Sequence, residues 1–480
     1  MGRPSNPIRY VIFRIGLALA RAGLIERERA RRTTDLAWPR IVTGLARMSK
    51  NAADVAMVGL AVGTAAIAGV GFAASFWSLA FALGGGLAGG TIALVSQRFG
   101  AGAPREVGQA IRSSVLTVLA ITIPLAALFL TFPAELIGLI SNDPRVITLG
   151  TEYLRIVALG VPFAGLNLVG SRTLVGCDDA WTPMVLRSGG AVLNVAINAL
   201  LLFGVGFGVR GAAIGTVLAT VMITAAFALG FATGRVPGVG EFPVTADPFG
   251  TYADRETVSR LVRIGTPLIG TNLSWRIGEF PLLAVVGAFG TPVVAAFVIA
   301  QRVRGLMNTP GWGFSLASSS LVGQELGTGD ERTAESYGTE VIRFASAVYL
   351  LAAGLVFVLA RPVALVFVGS SANPALPFAT LLIRAACVAV VFQGISRAAT
   401  GPLRTSGDTR WPFYGQMAGM YVFAIPLAYV GTRTPLGLWG VVLALVLQML
   451  VPAIVNYVRF RSGKWKIISR AYRTPAGADD

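Results

Sequence analysis

The hydrophobic pattern of the chain consists of long apolar runs separated by short polar connections. Crossing a bilayer takes about 20 mainly apolar residues, and backbone in hydrocarbon must satisfy its own hydrogen bonds, which makes such runs helical. Twelve runs are long enough, so the pattern predicts an all-α polytopic membrane protein with 12 transmembrane helices. The predicted spans are 35–59, 65–94, 110–132, 147–172, 184–205, 211–233, 258–287, 291–322, 341–360, 376–400, 411–430 and 436–458.

Composition agrees with this pattern and narrows the chemistry. Only 13% of the 480 residues are charged and 54% are hydrophobic, whereas a soluble domain carries about 25% charged residues. The chain has no histidine, which excludes histidine metal ligands and proton relays. Its two cysteines have no metal-binding or redox spacing. We therefore expect no cofactor, and no bound metal beyond a transported ion.

The distribution of basic residues predicts the orientation. The net charge is +17, and most Lys and Arg fall in one alternate set of connections that includes both tails. Cytoplasmic loops collect basic residues, so both termini are predicted to be cytoplasmic. Residues 1–34 are predicted to be a basic tail with a surface helix over 8–24, and 461–480 a second basic tail. No basic domain stands apart from the spans, so nucleic acid is not an expected partner.

The two halves of the chain repeat each other at a nearly constant offset of 227 to 229 residues. An even number of spans per repeat gives both halves the same orientation, and two such lobes with a cleft between them are a physical basis of alternating access. The matching segments are LVSQRFGAG at 94–102 with LVGQELGTG at 321–329, LVGCDDAWTP at 174–183 with LRTSGDTRWP at 403–412, and Pro39 and Gly59 with Pro267 and Gly287.

The repeat predicts the domain organisation. Two pseudo-symmetric six-helix lobes are expected at 35–233 and 258–460. Between them, residues 234–257 are polar and rich in Pro and Gly, which is typical of a linker. The charge pattern places this linker on the cytoplasmic side.

These motifs, taken in order, resemble the multidrug and toxic compound extrusion (MATE) family over nearly the whole chain after the first thirty or so residues. The resemblance implies a twelve-helix, two-lobed exporter driven by a sodium or proton gradient. It depends on the proline-led first span with Asp54, both LVxQxxGxG stretches, GDTRWP before span 11, NVAINALLLFG at 194–204 and GVRGAAIGTV at 208–217.

Two acids, Asp54 and Glu279, lie well inside predicted spans. An ionisable group in hydrocarbon is costly, so it normally faces a cavity or a partner and marks a functional site. Asn194 and Asn198 are four residues apart, hence on one helix face, and their amide oxygens suit a hard cation. Thr216 in span 6 offers a hydroxyl. We predict a coupling-cation site at Asp54, Asn194, Asn198 and Thr216.

The family resemblance implies a site at the same places: an acid in span 1, polar residues in span 5 and a threonine in span 6. Many relatives have an aspartate where this chain has Asn198. A single carboxylate weakens the case for Na⁺ and favours H⁺. The resemblance also implies a second candidate site at Glu279 and Gln393, where span 10 of some relatives carries an acid instead of Gln393.

An ion-pair interpretation competes with these sites. Lys50 precedes Asp54 by four residues and Arg276 precedes Glu279 by three, and both spacings put the pair on one helix face. Each acid would then only neutralise a basic neighbour. The further basic residues of span 1, Arg40 and Arg47, leave an anionic or zwitterionic substrate open.

The function that the sequence favours is secondary antiport. We expect a monomeric protein of the plasma membrane that exports small amphipathic organic or cationic compounds in exchange for H⁺ or Na⁺, with lipids as its other contacts. A flippase for lipid-linked sugars or lipids is an alternative of related architecture. A membrane-embedded transferase is a third, but Asp178 and Asp179 form the only adjacent internal pair of aspartates, and such enzymes need Mg²⁺-binding clusters. No Walker sequence is present, so the chain carries no ATPase of its own.

Overall fold

Residues 6–471 are described by a computed structural model, and almost all of them are helical. The end of the predicted second tail, 472–480, and residues 1–5 lie outside the described part. The helices are α1 (Pro7–Arg21), α2 (Arg27–Ala61), α3 (Thr64–Gly100), α4 (Pro104–Thr131), α5 (Pro133–Gly138), α6 (Pro144–Ala158), α7 (Val161–Gly176), α8 (Trp181–Ala199), α9 (Gly208–Thr233), α10 (Arg255–Gly287), α11 (Thr291–Met307), α12 (Thr309–Thr328), α13 (Glu331–Val358), α14 (Ala360–Val368), α15 (Leu376–Thr405), α16 (Arg410–Met417), α17 (Ile425–Arg433), α18 (Leu438–Arg461) and α19 (Lys464–Arg470).

Every predicted span falls on one helix or on consecutive helices. The fourth span is α6 and α7, which bend by 50° at their junction, and the eighth is α11 and α12. Two spans include a π-helical segment: Leu200–Gly204 continues α8, and Ala418–Ala424 joins α16 to α17. The predicted surface helix is present as α1.

A strict hydropathy limit recognises fewer spans than the twelve predicted from the apolar runs. Within residues 6–471, eight helices are long and apolar enough to cross a membrane, and the α6–α7 pair makes nine. The helices of spans 1, 7 and 8 do not reach this limit. In α2 the sequence shows the cause, because four charged residues interrupt the apolar part of the helix: Arg40, Arg47, Lys50 and Asp54.

The chain divides into two compact units, each with its own apolar core. The N-terminal unit is Val42–Ile269, and its core includes Phe129, Leu154 and Val157. The C-terminal unit is Gly270–Asp480 together with Met1–Ile41, and its core includes Phe297, Ile383 and Val441. The boundaries fall within α2 and α10. The predicted lobe limits at 35–233 and 258–460 remain predictions.

The predicted linker is an ordered strap against the N-terminal unit. It begins with a two-stranded antiparallel hairpin, β1 (Arg235–Val236) and β2 (Gly240–Glu241). The ring of Phe242 then packs edge-on against Phe231 of α9, with 5.2 Å between ring centroids. Further along, Arg112 of α4 donates to the carbonyl oxygens of Asp247 and Thr251. These contacts hold a Pro- and Gly-rich segment in one path over the ends of α4 and α9.

The strap ends in a helix cap. The Asp254 carboxylate accepts the backbone N–H of Thr257 at 2.8 Å, so it satisfies one of the free donors in the first turn of α10. The side-chain and backbone hydrogen bonds from Thr257 lower the pKa of Asp254. A carboxylate with a lowered folded-state pKa stabilises the fold above its unfolded-state pKa, and this contribution is lost on acidification.

The repeated motifs also share backbone conformation. Gly102 and Gly329 both end their helices with positive φ, 68° and 91°. Asp178 has φ 65°, the one positive φ of a non-glycine residue between 6 and 471, and its partner in the repeat is Gly407 with φ 83°. The left-handed conformation costs most L-residues about 1–2 kcal/mol, whereas glycine adopts it freely. One half of the repeat therefore carries a strain that the other half avoids.

We predict that Gly407→Ala lowers stability by about 1–2 kcal/mol, because alanine must adopt the left-handed conformation, and that Asp178→Gly does not lower it. The measurement is the thermal unfolding midpoint of the purified protein in detergent. Gly354→Ala is the matched control, since an added Cβ there meets no atom within 4 Å. Equal midpoints for Gly407→Ala and Gly354→Ala would contradict the prediction.

Candidate functional site

The buried carboxylate of Asp54 has a different partner for each oxygen. Asp54 lies on α2 with 8% of its surface exposed. Oδ1 accepts a hydrogen bond from Asn198 Nδ2 at 2.8 Å, and Oδ2 lies 2.7 Å from Lys50 Nζ. The sequence offered a polar site and an ion pair as competing interpretations. Both contacts, with Asn198 and with Lys50, occur together at the Asp54 carboxylate.

The four predicted coupling-site residues form one hydrogen-bonded chain across three helices. From Asp54 on α2 the chain passes to α8, where Asn198 Nδ2 also donates to Asn194 Oδ1 at 3.2 Å. Asn194 Nδ2 donates to Thr216 Oγ1 on α9 at 3.2 Å, and the Thr216 hydroxyl donates to Ala212 O at 2.9 Å. Asn194, Asn198 and Thr216 are all buried. The spacing of four residues in α8 is what directs both amides to the same neighbours.

One oxygen of this network has no partner. Asn198 Oδ1 is buried and accepts no hydrogen bond, although an unsatisfied buried polar atom costs about 1–3 kcal/mol. It lies against Gly215, where an added Cβ would overlap it. Carboxylate, amide and hydroxyl oxygens are ligands for hard cations, so the network can bind a proton at Asp54 or a small cation among its oxygens. Within residues 6–471 no group of three or more His, Cys, Asp or Glu side chains could hold a metal ion.

Tyr153 of α6 belongs to the network but was not predicted. It is buried, and its hydroxyl lies near the Thr216 side chain and close enough to Asp54 to feel its charge. The available signal was a tyrosine in the interior of span 4, away from the membrane interfaces where tyrosine is usual. This residue brings a fourth helix to the site.

Glu279 has other partners than the sequence suggested. Its Oε1 accepts from Trp275 Nε1 at 2.9 Å and lies 4.0 Å from Arg304 Nη2 of α11. Arg276, the predicted ion-pair partner, is exposed. A spacing of three residues shows only that two side chains share a helix face, and here a residue of another helix lies closer to the carboxylate.

The second candidate site is not assembled in the same way as the first. Gln393 of α15 is buried, and its Oε1 accepts no hydrogen bond. Among the described residues no hydrogen bond joins it to Glu279, which is itself only half-buried. The structure thus brings together Asp54, Asn194, Asn198 and Thr216, but it does not link Glu279 with Gln393.

The family comparison decides the class of protein. The family model described as MatE matches residues 39–200 and again 267–430, which together are more than half of the chain. The chain belongs to the MatE family. The second match begins 228 residues after the first (39 and 267), which agrees with the predicted internal repeat. A MatE protein is a membrane transporter and not an enzyme, and the resemblance seen in the sequence is confirmed.

Curated MatE-type relatives cover most of the chain. A probable multidrug resistance protein NorM from Rhodopseudomonas palustris is 29% identical over 440 residues, which are 88% of this chain and 90% of the relative. The multidrug resistance protein PmpM from Pseudomonas aeruginosa is 28% identical over 439 residues, again 88% of this chain and 90% of the relative. The similarity therefore extends through both repeats.

Solved structures show the same fold. A MOP superfamily transporter from Pyrococcus furiosus, described as having a binding pocket of reversed polarity, has a TM-score of 0.83 at 23% identity and covers 98% of this chain and 100% of its own. An outward-facing multidrug resistance MATE transporter has a TM-score of 0.83 at 24% identity and covers 92% of this chain and 96% of its own. The predicted MATE-like all-α fold with twelve membrane helices in two lobes is confirmed.

We predict that Gly215→Ala disrupts the network of this MatE protein, because the added methyl group needs the space of Asn198 Oδ1. Overpacking of this kind costs about 1–3 kcal/mol, and the thermal unfolding midpoint should fall accordingly. Gly189→Ala is the matched control on α8, since a Cβ there meets no atom within 4 Å. A midpoint for Gly215→Ala equal to that of the control would contradict the close packing described above.

Proposed function

We propose that this MatE protein is a secondary active antiporter that exports small amphipathic organic compounds in exchange for H⁺ or Na⁺, and that Asp54 is its coupling residue. The observation that carries the proposal is the buried hydrogen-bonded chain from Asp54 through Asn198 and Asn194 to Thr216. Support for export comes from relatives such as NorM and PmpM, which are named as multidrug resistance proteins.

The contact with Lys50 favours H⁺ as the coupling ion. The Lys50 ammonium lies 2.7 Å from Asp54 Oδ2, which is where a bound cation would neutralise the carboxylate. A sodium ion would have to displace this ammonium, whereas a proton added to Asp54 would release it. Protonation thus breaks an ion pair between positions 50 and 54 of α2, a local change that can bias a two-state transporter.

The transport cycle that we propose is alternating access in the plasma membrane, with both termini and the strap on the cytoplasmic side. The excess of basic residues in those segments supports this orientation. Two repeats of the same orientation provide the pair of lobes that such a cycle needs. The protein is proposed to act as a monomer without a cofactor, binding only its substrate, its coupling ion and lipids.

The proposal predicts that Asp54→Asn abolishes gradient-driven export, because the amide can neither take up a proton nor neutralise a cation. An H⁺ or Na⁺ gradient would be imposed across the membrane of proteoliposomes. Export of two probes, the organic cation ethidium and the organic anion carboxyfluorescein, would be followed by fluorescence. We expect the wild-type protein to export probe under the H⁺ gradient. The export rate of Asp54→Asn should equal that of liposomes without protein.

Glu152→Gln is the control for this experiment. Glu152 is an acid of the N-terminal unit that pairs with exposed Arg210 at 2.9 Å, and its loss should leave export intact. Export by Asp54→Asn at the wild-type rate, with both proteins folded, would move the coupling site elsewhere. Export driven by Na⁺ but not by H⁺ would overturn the assignment of the coupling ion.

Lys50→Met separates a coupling role of Asp54 from a purely structural ion pair. If Asp54 is the coupling acid, the variant should keep gradient-driven export, and Na⁺ should now inhibit H⁺-driven export because the ammonium no longer excludes it. If the ion pair only holds the fold together, Lys50→Met and Asp54→Asn should lower the unfolding midpoint and export alike. Paired unfolding and export measurements on the two variants distinguish these outcomes.

A further inference from the structure

The C-terminal unit holds three buried or half-buried arginines of interest: Arg304 and Arg397 lie inside predicted spans 8 and 10, and Arg404 lies just beyond span 10. Arg304 of α11 is 5% exposed, Arg404 of α15 is 8% exposed, and Arg397 of α15 is half-buried. Arginine stays charged even when buried, so each guanidinium needs acceptors or an anion. None of the three was predicted to be functional, because the candidate sites were built around the intramembrane acids.

Two of these arginines have protein partners. Arg304 Nε donates to Gln301 Oε1 at 2.7 Å, and its guanidinium lies over the Trp275 ring at 4.6 Å. Arg404 donates to the hydroxyls of Ser319 at 3.1 Å and Ser315 at 3.4 Å. Serine hydroxyls are neutral, so they satisfy hydrogen bonds of Arg404 without balancing its charge.

Arg397 lacks such partners. Its guanidinium lies over the Trp312 ring at 4.3 Å from the centroid. Within residues 6–471 it makes no hydrogen bond and no ion pair, and its positive charge repels both Arg304 and Arg404. The five N–H donors of a half-buried guanidinium therefore remain available beside an aromatic face.

The acids of this unit do not balance the three charges. Glu279 is the one acid placed well inside its spans, and its nearest basic group is Arg304 at 4.0 Å. Four of the described acids nearer the tails and loops pair with other basic residues. These pairs are Asp408 with Arg459, Glu335 with Lys466, Glu340 with Arg29, and Glu331 with Arg470. An excess of buried positive charge is costly unless an anion compensates it.

We propose that Arg397 and Trp312 form a binding site for the anionic group of an aromatic organic anion, a carboxylate or sulfonate. Arginine binds such groups through two parallel hydrogen bonds. The Trp312 ring, which carries the guanidinium on one face, leaves its edge and opposite face for contact with a planar ring. The inference rests on the proposed transport function, since it names the substrate class of that transporter: organic anions in place of organic cations.

The N-terminal unit has the same sign of charge in its interior. Arg187 of α8 has a buried Nη1 without a partner and is repelled by Arg47 of α2. Arg47 lies over the ring of Phe81, which lines a small recess together with Trp77. Because Lys50 neutralises Asp54, no excess negative charge is left in this unit's interior to attract an organic cation as substrate.

The test is equilibrium binding to the purified protein, without any gradient. Two probes of the same shape and opposite charge are 2-naphthoate and 2-naphthamidine, titrated by calorimetry. We expect the wild-type protein to bind naphthoate and not naphthamidine. Arg397→Gln should bind naphthoate at least about tenfold more weakly than the wild type. The affinity of Arg397→Lys for naphthoate should lie between those of the wild type and Arg397→Gln. Arg384→Gln is the control, because exposed Arg384 lies on the same helix over Phe357.

Thermal unfolding distinguishes a ligand site from a structural role. Removing the charge that repels both Arg304 and Arg404 should leave the unfolding midpoint of ligand-free Arg397→Gln unchanged or raised. Naphthoate should raise the midpoint of the wild-type protein and not of the variant. A lowered midpoint in the ligand-free variant, equal naphthoate binding by wild type and variant, or preferential binding of naphthamidine would each overturn the proposal.

The result is separable from the test of the proposed function. Loss of export in Asp54→Asn together with no naphthoate binding would leave the antiporter in place and remove the anion site. Naphthoate binding that depends on Arg397, without gradient-driven export of any probe, would support the anion site and overturn the proposed antiport.

Discussion

The structure depends on one constraint: a polar or charged group in hydrocarbon must find its partner within the protein. In the N-terminal unit the constraint is met by a chain of side chains from Asp54 to Thr216 that joins α2, α8 and α9. In the C-terminal unit Trp275 and Arg304 surround the carboxylate of Glu279. Among the groups that remain without a hydrogen-bond partner, Asn198 Oδ1 and the Arg397 guanidinium lie at the two sites proposed to bind a ligand.

The helices could be predicted because membrane spans are encoded locally. All twelve predicted spans are helical, and the apolar runs placed α2 and α10 among them although neither helix reaches the strict hydropathy limit. The path of the strap could not be predicted in this way. Its Pro and Gly content indicated a linker, but the contacts of Phe242 with Phe231 and of Arg112 with the strap backbone connect distant parts of the sequence.

Contacts of the candidate site could be predicted where helix geometry alone brings two side chains together. They could not be predicted where the packing of different helices chooses the partner. The spacing of Asn194 and Asn198 fixed their common face, and family resemblance placed Asp54 beside them, 144 residues away along the chain. The same local reasoning paired Glu279 with Arg276, whereas Arg304 of another helix lies nearer. Arg397 was overlooked although a basic residue inside an apolar span is as exceptional as an acidic one.

The polarity of α2 has a consequence for biosynthesis. Each charged residue at the centre of a membrane helix costs about 2.5–3.5 kcal/mol on insertion, and α2 carries Arg47, Lys50 and Asp54 within two turns. Taken alone, the helix would partition poorly from the translocon into lipid. Asn198, whose amide donates a hydrogen bond to the Asp54 carboxylate, is synthesised 144 residues after Asp54. Stable integration of the first span must therefore wait until most of the N-terminal unit has left the ribosome.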